Sequence, residues 1–315
     1  MLQQTTVAAV IAYYQRFLER FPSVEQLAAA PLEEVIDLWA GLGYYSRARN
    51  LHAAARQIVE EFAGCFPRTP EELEHLPGIG RSTAGAIAAL AFDRRAPILD
   101  GNVRRVLCRL LALQEPSRTA GAEKRLWQWS EALTPAVNVH DYTQAIMDLG
   151  ATVCLPRRPL CEECPLAEIC QARRLGLELQ LPMSQPGKDL PTRHEAVLLI
   201  EHAGSYLVRR RPLQGFLGGL WEFPTQSLTE AEDAVAKLRL LVADFGLQGR
   251  LELLGYSQHT YSHFRLNSVV YRIRTANSSR IAEGDHRWYP SRQLTELALH
   301  GAHKKALGIL LNNGA

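Results

Sequence analysis

Four cysteines stand close together in the sequence, at Cys154, Cys161, Cys164 and Cys170, separated by six, two and five residues. Thiolates so near one another can surround a single metal centre. Zinc sites usually arrange their ligands as two close pairs joined by a longer loop, and only Cys161 and Cys164 form such a pair. The spacing therefore favours an iron–sulfur cluster, with zinc or a chance grouping as the alternatives.

The segment LPGIGRSTAGAI, at residues 76–87, predicts two helices joined by a tight glycine turn. Gly78 and Gly80 let the backbone come close to a ligand, and the second helix offers free N–H groups to an anion at its N-terminus. A DNA phosphate would fit there, and a plain helix–helix turn is the alternative. Residues 81–110 hold six arginines against two aspartates, which suits nucleic acid or a solvated helical face.

Asp100 lies in the segment PILDGNVRRVL, just before a helix predicted to begin near Asn102. An acid in that place is commonly a helix cap. Negative charge within a stretch predicted to contact phosphates costs binding energy. We therefore also expect Asp100 to take part in chemistry, such as the stabilisation of a cationic sugar.

These groups must be positioned by helices, because the first ~175 residues show helical periodicity almost throughout. Capping patterns begin predicted helices at Ser23 and Thr69. The first helix carries an apolar stripe at helical spacing, formed by Val7, Ile11, Tyr14, Leu18 and Phe21.

Residues 175–192 lose that periodicity and contain three prolines, as a connector does. Beyond them, EAVLLIEH, SYLVRRR, RLELLGY and LNSVVYRIR predict strands, with a helix predicted over residues 229–245. The sequence thus predicts an all-α domain at 1–174, a linker at 175–192 and an α+β domain at 193–315.

Composition excludes several classes of protein. The net charge is +2, hydrophobic residues make up 47% of the chain, and no apolar run approaches the ~18 residues needed to cross a bilayer. The first residues lack the basic segment of a secretory signal. We expect a cytoplasmic protein with no membrane partner, located at the nucleoid when bound to DNA.

From Met1 to about Ala172 the chain resembles the helix-hairpin-helix glycosylases of the endonuclease III and MutY superfamily, and most closely the MutY-type adenine glycosylases. The segments that carry the resemblance are MLQQT, LWAGLGYYSRARNLH, LPGIGRSTAGAI, ILDGNV, QAIMDLGATVC and the four cysteines, all in order. The resemblance implies a monomer that binds double-stranded DNA containing an adenine opposite 8-oxoguanine or guanine. It also implies one 4Fe–4S cluster on the four cysteines and hydrolysis of the adenine N-glycosidic bond with Asp100 as a catalytic residue.

The same resemblance assigns DNA contacts to Gln4, Tyr44, Gly78, Gly80 and Ser82, with Gln4 and Tyr44 holding the duplex open while adenine is flipped out. Endonuclease III-like lyases carry a lysine where this chain has Ser82, and VDTH in place of LDGNV. Because a hydroxyl cannot form a Schiff base, simple hydrolysis is favoured over a glycosylase/lyase.

The second domain resembles the Nudix-like domain with which adenine glycosylases recognise 8-oxoguanine. Tyr261, Ser262 and His263 match the loop that reads the oxidised base. The helical stretch TEAEDAVAKLRLLVADFG lacks the glutamates of the REUxEExGU pattern of hydrolytic Nudix enzymes. The resemblance therefore implies recognition and not pyrophosphate hydrolysis.

In the adenine glycosylases, the general acid is a glutamate two residues before the methionine of the MLQQT segment, and Met1 is that methionine. Cleavage of an N-glycosidic bond needs an acid for the leaving base and a carboxylate for the sugar. We therefore expect the chain as printed to bind mispaired DNA and to release adenine poorly. A damaged-DNA-binding protein without catalysis is accordingly the alternative to the enzyme.

Overall fold

The structure, a computed structural model, describes Met1 and residues 7–183, 189–276 and 285–313. These residues form two compact units. One unit comprises residues 53–183. The other comprises the described residues of 1–52 and of 189–313. Neither unit contains, in the part described, a helix long and apolar enough to span a membrane.

The described part up to residue 175 is helical, as predicted, and its capping patterns are confirmed. The Ser23 hydroxyl accepts a hydrogen bond from the N–H of Gln26, and Thr69 and Glu72 form a reciprocal capping box. The helices are α1 (Val7–Arg20), α2 (Val24–Ala29), α3 (Leu32–Trp39), α4 (Ser46–Phe62), α5 (Pro70–Glu74), α6 (Arg81–Phe92), α7 (Gly101–Leu110), α8 (Ala120–Leu133), α9 (Val139–Asp148) and α10 (Gln171–Leu175).

The predicted apolar stripe of α1 is wrong for its middle positions. Ile11, Tyr14 and Leu18 are 43–54% exposed, whereas Phe17 is buried and its ring meets the ring of Trp39 in α3 edge-on at 6.1 Å. Two stripes of helical spacing run along α1, and periodicity alone cannot tell which one faces the neighbouring helix.

The α+β prediction for the rest of the chain is confirmed. Within the described residues, seven strands form one mixed sheet in which β1 pairs in parallel with β6 and antiparallel with β2 and β4. The remaining pairs, β2 with β3, β2 with β7, and β5 with β6, are antiparallel. The elements are β1 (Thr192–His202), β2 (Ser205–Arg210), β3 (Trp221–Glu222), β4 (Thr225–Leu228), α11 (Ala234–Asp244), β5 (Glu252–Thr260), β6 (Arg265–Arg274), β7 (His286–Pro290) and α12 (Gly301–Asn313).

Strand β1 forms the centre of this unit, because its side chains alternate between two apolar layers. Leu199 packs with Leu307 of α12 on one face of the sheet, and Leu198 packs with Leu238 of α11 on the other. The helix predicted over residues 229–245 begins only at Ala234, since the Asp233 side chain caps it by accepting the N–H of Val235.

Helix α3 joins the first of these layers. Its Ile36 is fully buried in the same apolar cluster as Leu199, and its Asp37 accepts a 2.9 Å hydrogen bond from Arg210 of β2. The unit that contains the sheet therefore also includes helices of residues 1–52, which the sequence groups with the first domain. The division into 1–174, 175–192 and 193–315 stays a prediction about the sequence.

Candidate functional site

The four cysteines of the predicted cluster line one cavity. Cys154 follows a π-helical turn at Leu149–Val153, and Cys161 and Cys164 lie at the two ends of a 3₁₀ turn. Cys170 directly precedes α10. None of the four forms a disulfide, and burial raises the pKa of the Cys161 thiol, which the neighbouring Glu178 and the other three thiols raise further.

This donor set fits an iron–sulfur cluster. A 4Fe–4S cluster bonds each of four thiolates to a different iron, and four thiols that line one cavity can supply those bonds. The spacing still disfavours zinc, because only Cys161 and Cys164 form a close pair in the sequence.

Two arginines of α7 hold the cysteine loop. Arg109 is 2% exposed, and its guanidinium donates to Cys154 Sγ at 3.3 Å and to the carbonyl oxygens of Leu155, Pro156 and Leu181 at 2.8, 3.0 and 2.9 Å. One turn earlier, Arg105 Nε donates to the carbonyl oxygen of Cys154 at 2.6 Å. The loop is therefore fastened to α7 through its backbone as well as through one sulfur.

The predicted helix–turn–helix is present, formed by α5, a turn at residues 75–80, and α6. Gly78 has a φ of +77°, in the left-handed region that glycine adopts without strain. Gly80 begins α6 and offers no side-chain cap, and the first turn of α6 contains no acid. This N-terminus can therefore accept an anion, so the assignment of Gly78 and Gly80 to DNA remains a physically consistent prediction.

Ser82 has a structural role that the sequence did not indicate. Its hydroxyl oxygen accepts a 2.9 Å hydrogen bond from the N–H of Leu99, the residue before Asp100. Nearby, Gly85 lies against the segment, since a Cβ there would be 2.4 Å from the carbonyl oxygen of Pro97. The hydroxyl of Ser130 donates to the carbonyl oxygen of Ile98 at 2.7 Å. Helices α6 and α8 thus hold the segment of residues 97–99 that leads to Asp100.

Asp100 is the N-cap of α7. Its Oδ1 accepts a 2.7 Å hydrogen bond from the N–H of Val103, and the residue is partly exposed. The interpretation of Asp100 as a helix cap is therefore correct. A cap does not conflict with chemistry, because the charge stays fixed at the start of α7 and in reach of solvent. Its catalytic role stays a prediction.

Of the two predicted DNA-stacking residues, Tyr44 is described and Gln4 lies outside the described residues. Tyr44 has a φ of +47°, which is strained for a tyrosine, and 54% of its surface is exposed. The guanidinium of Arg47 lies 5.6 Å from the centre of its ring. An exposed ring held in a strained conformation is available for stacking, whereas the adjacent Tyr45 packs against the apolar core.

Tyr261, Ser262 and His263 form the turn between β5 and β6. The N–H of Tyr261 donates to the carbonyl oxygen of Phe264 at 2.9 Å, which closes the turn. The ring of Phe216 contacts the rings of Tyr261 and His263 at centroid distances of 5.1 and 6.0 Å. Ser262 and His263 are exposed at the tip, so the three residues are together as predicted, and their role in recognition stays a prediction.

A buried polar cluster beneath this turn was missed in the sequence. The Tyr261 hydroxyl lies 3.0 Å from His300 Nδ1, and His300 Nε2 lies 3.7 Å from Glu222. Burial and the neighbouring His303 lower the pKa of His300 to about 4, although two carboxylates oppose this. Burial would raise the pKa of Glu222, but His300 and two arginines lower it to about 2. No local pattern marks these residues, which come from separate elements.

Three family models match the chain. A model of the HhH-GPD superfamily of base excision DNA repair proteins matches residues 1–132, and a NUDIX domain model matches residues 196–308. The iron–sulfur binding domain of endonuclease III matches residues 154–170, which confirms the iron–sulfur interpretation of the cysteines.

Curated relatives match nearly the whole chain. Adenine DNA glycosylases of Homo sapiens and Mus musculus are each 36% identical to it over 98% and 97% of its length. The chain spans 66% and 69% of those two proteins, and 82% of an adenine DNA glycosylase of Buchnera aphidicola that is 34% identical to it. Among solved structures, a thermostable thymine-DNA glycosylase superposes with a TM-score of 0.50 at 29% identity, over 55% of this chain and 80% of its own.

Proposed function

The chain belongs to the family of adenine DNA glycosylases, and from this premise we propose that it hydrolyses the N-glycosidic bond of adenine mispaired with 8-oxoguanine or guanine in double-stranded DNA. One observation carries the proposal: Asp100 is fixed at the start of α7 by its own cap and by the hydrogen bond from Leu99 to Ser82. A carboxylate held in this way keeps its charge at a defined place.

In the proposed reaction, the bond between the sugar and adenine breaks and the electron pair leaves with the base. The sugar becomes cationic, and water then adds to it with loss of a proton. The carboxylate of Asp100 would stabilise the cationic sugar electrostatically. The leaving base takes up a proton from a general acid.

Strand cleavage by a lyase reaction is not part of the proposal. That reaction needs an amine to attack the sugar, and Ser82 stands at the lysine position of the lyase branch. The Ser82 hydroxyl also accepts the N–H of Leu99, which supports a positioning role for Ser82 close to Asp100.

We assign one 4Fe–4S cluster to Cys154, Cys161, Cys164 and Cys170. The group would supply bonds to four separate points of a loop that contains little regular structure, and so would fix its conformation. Arg105 and Arg109 would hold that loop to α7, the helix that Asp100 caps.

DNA contacts are assigned as the resemblance implies. The turn at Gly78 and Gly80 would bind a phosphate at the N-terminus of α6, and Tyr44 would stack on a base as adenine is extruded. Gln4 would share with Tyr44 the task of holding the duplex open, as the resemblance implies. In the Nudix-like domain, the turn of Tyr261, Ser262 and His263 would contact the 8-oxoguanine opposite the adenine.

A single-turnover assay tests the proposal, with duplexes that contain A:8-oxoguanine, A:G or A:T at one position. Both the 315-residue chain and the protein isolated from its own cells are assayed. Release of adenine from the first two duplexes, without trapping of the protein on DNA by borohydride, supports it. Trapping would indicate the lyase, and selective binding without release by both preparations would indicate a damaged-DNA-binding protein.

A further inference from the structure

We propose that His300 is a positioning residue for base recognition, which holds the Tyr261–His263 turn by accepting the hydrogen bond of the Tyr261 hydroxyl. The inference rests on the proposed function, in which this turn reads 8-oxoguanine. It adds a buried polar chain that runs from the Tyr261 hydroxyl to His300 by a hydrogen bond, and from His300 to Glu222 by a 3.7 Å contact.

The geometry of this chain is direct. The Tyr261 hydroxyl and His300 Nδ1 are 3.0 Å apart, and His300 Nε2 and Glu222 Oε2 are 3.7 Å apart. His300 is 3% exposed and Glu222 is 2% exposed. At such burial a polar group without a partner is costly, so each of these contacts contributes to holding its neighbour in place.

The direction of the hydrogen bonds follows from Glu222. Its carboxylate accepts from Arg209 Nε at 2.6 Å and also from Arg211, and an ionised carboxylate can only accept. Because this carboxylate faces His300 Nε2 at 3.7 Å, it favours the tautomer with a hydrogen on Nε2. In a neutral ring the other nitrogen, Nδ1, is then an acceptor, and the Tyr261 hydroxyl donates to it.

The neighbouring histidine supports a neutral His300. The rings of His300 and His303 are 4.0 Å apart, so two positive charges there would repel each other. His303 Nδ1 accepts a 2.8 Å hydrogen bond from the N–H of Phe223, which places its ring hydrogen on Nε2, towards Glu195 at 3.7 Å. The N–H of Phe223 thus fixes the tautomer of His303.

This anchor lies directly beneath the tip of the turn. Tyr261 begins a turn of four residues, and its own N–H closes that turn at the carbonyl oxygen of Phe264. Ser262 and His263, the exposed residues, follow immediately. Because a turn this short has few free dihedral angles, fixing the Tyr261 hydroxyl restricts the directions in which these two side chains can point.

The test measures the preference of the protein for A:8-oxoguanine over A:G duplexes, as the ratio of the two dissociation constants. We expect His300→Gln and Tyr261→Phe each to lower this preference about fivefold, the size expected for one lost buried hydrogen bond. The double variant should be no worse than either single variant, because both remove the same bond.

Two matched variants separate positioning from general damage. His300→Asn places an amide oxygen near the position of Nδ1, so it can still accept from Tyr261 and should keep the preference within about twofold. Tyr206→Phe removes another buried tyrosine hydroxyl of the same unit, one that donates to Glu201 at 3.1 Å, and should leave the preference unchanged. A loss shared by all four variants would indicate unfolding and overturn the inference.

Nitrogen NMR of the histidine side chains gives a second readout that needs no DNA. We expect His300 to be neutral with its hydrogen on Nε2, and its Nδ1 signal to shift in Tyr261→Phe. If the wild type shows no preference for 8-oxoguanine, the proposed recognition fails and the inference fails with it. If the wild type has the preference but His300→Gln keeps it, or Nδ1 carries the hydrogen, the inference alone is overturned.

Discussion

The two candidate sites are held by different kinds of interaction. Asp100 is held by the backbone N–H of Val103, three residues further on, and the residue before it is held by the hydroxyl of Ser82, 17 residues away. Tyr261 is held by a side chain 39 residues away, which itself depends on a buried carboxylate. A backbone partner survives most substitutions nearby, whereas a buried chain of side chains loses its function when one member changes.

The cysteine loop is held by a mixture of both kinds of interaction, because the buried side chain of Arg109 binds backbone carbonyl groups. Arg109→Met keeps much of the length of the side chain but removes its N–H donors. The carbonyl oxygens of Leu155, Pro156 and Leu181 then lose their hydrogen bonds to residue 109. We expect a loss of about 4 kcal/mol in the free energy of unfolding, from several unsatisfied buried groups. Urea unfolding measures this loss of stability, and the iron content per chain measures how well the loop keeps its cluster.

Arg173→Met is the matched control, because Arg173 lines the same cavity but is 35% exposed in its pair with Glu162. Exposed pairs contribute about 0–1 kcal/mol. Equal iron content and equal stability in the two variants would show that buried and exposed arginines support the loop alike.

Substitution of Asp100 separates the cap from the charge. Asparagine caps a helix about as well as aspartate, so Asp100→Asn should leave the free energy of unfolding within about 0.5 kcal/mol of wild type. In a preparation that releases adenine, loss of the carboxylate should slow that release about 10²- to 10³-fold, as the loss of an electrostatic stabiliser does. Asp100→Ala should be about 1 kcal/mol less stable in addition. Wild-type release by Asp100→Asn would remove this residue from the chemistry.

How far the sequence predicts these sites follows the same division. The helix caps at Ser23 and Thr69, the hairpin at Gly78, the iron–sulfur spacing and the α+β character of the second half depend on residues near each other in the chain, and these predictions are confirmed. The Asp100 cap was foreseen as the ordinary interpretation for the same reason. Local patterns predict what local forces decide.

The rest depends on contacts between distant segments. Periodicity could not choose the buried face of α1, and nothing near His300 announces that it lies beneath Tyr261. The role of Ser82 as acceptor for Leu99 is similar, because a hairpin serine is also a sensible DNA contact. In each case the sequence shows a residue that can form a bond, and only the fold selects the partner.

The pH dependence of stability tests the buried chain. Burial holds the pKa of His300 at about 4, below the ordinary 6.5, with Glu222, Glu195, His303 and Tyr261 around it. The folded ring stays neutral while the unfolded one gains a proton below pH 6.5. The contribution of the neutral His300 ring to the free energy of unfolding is therefore complete above pH 6.5. It is lost as the pH falls towards 4, by at most about 3 kcal/mol.

Urea unfolding of wild type and His300→Gln at pH 7, 6 and 5 isolates this contribution, because the other titrating groups are common to both proteins. The difference between the two proteins in free energy of unfolding should become smaller as the pH falls. Glu222, with a folded pKa of about 2, begins to lose its contribution only below pH 4.5. If the free energies of unfolding of the two proteins change in parallel between pH 7 and 5, burial does not keep His300 from taking up a proton in this range.

The smallest effect should come from Gly85→Ala, which asks whether the local cap alone positions Asp100. The new methyl would lie 2.4 Å from the carbonyl oxygen of Pro97, so the segment leading to Asp100 must move. We expect a loss of about 2 kcal/mol in the free energy of unfolding, typical of overpacking. Gly121→Ala, in α8 with open space around it, should instead gain up to about 1 kcal/mol.

Adenine release by folded Gly85→Ala then separates the two explanations of how Asp100 is held. If packing of α6 against residues 97–99 contributes, release slows about tenfold even in the folded protein, since small displacements of a reacting group are costly. That is the result we expect, because Ser82 and Gly85 act on the same segment from the same helix. Lower stability with an unchanged rate would mean that the cap to Val103 positions the carboxylate alone, and the contrast with Tyr261 would then be complete.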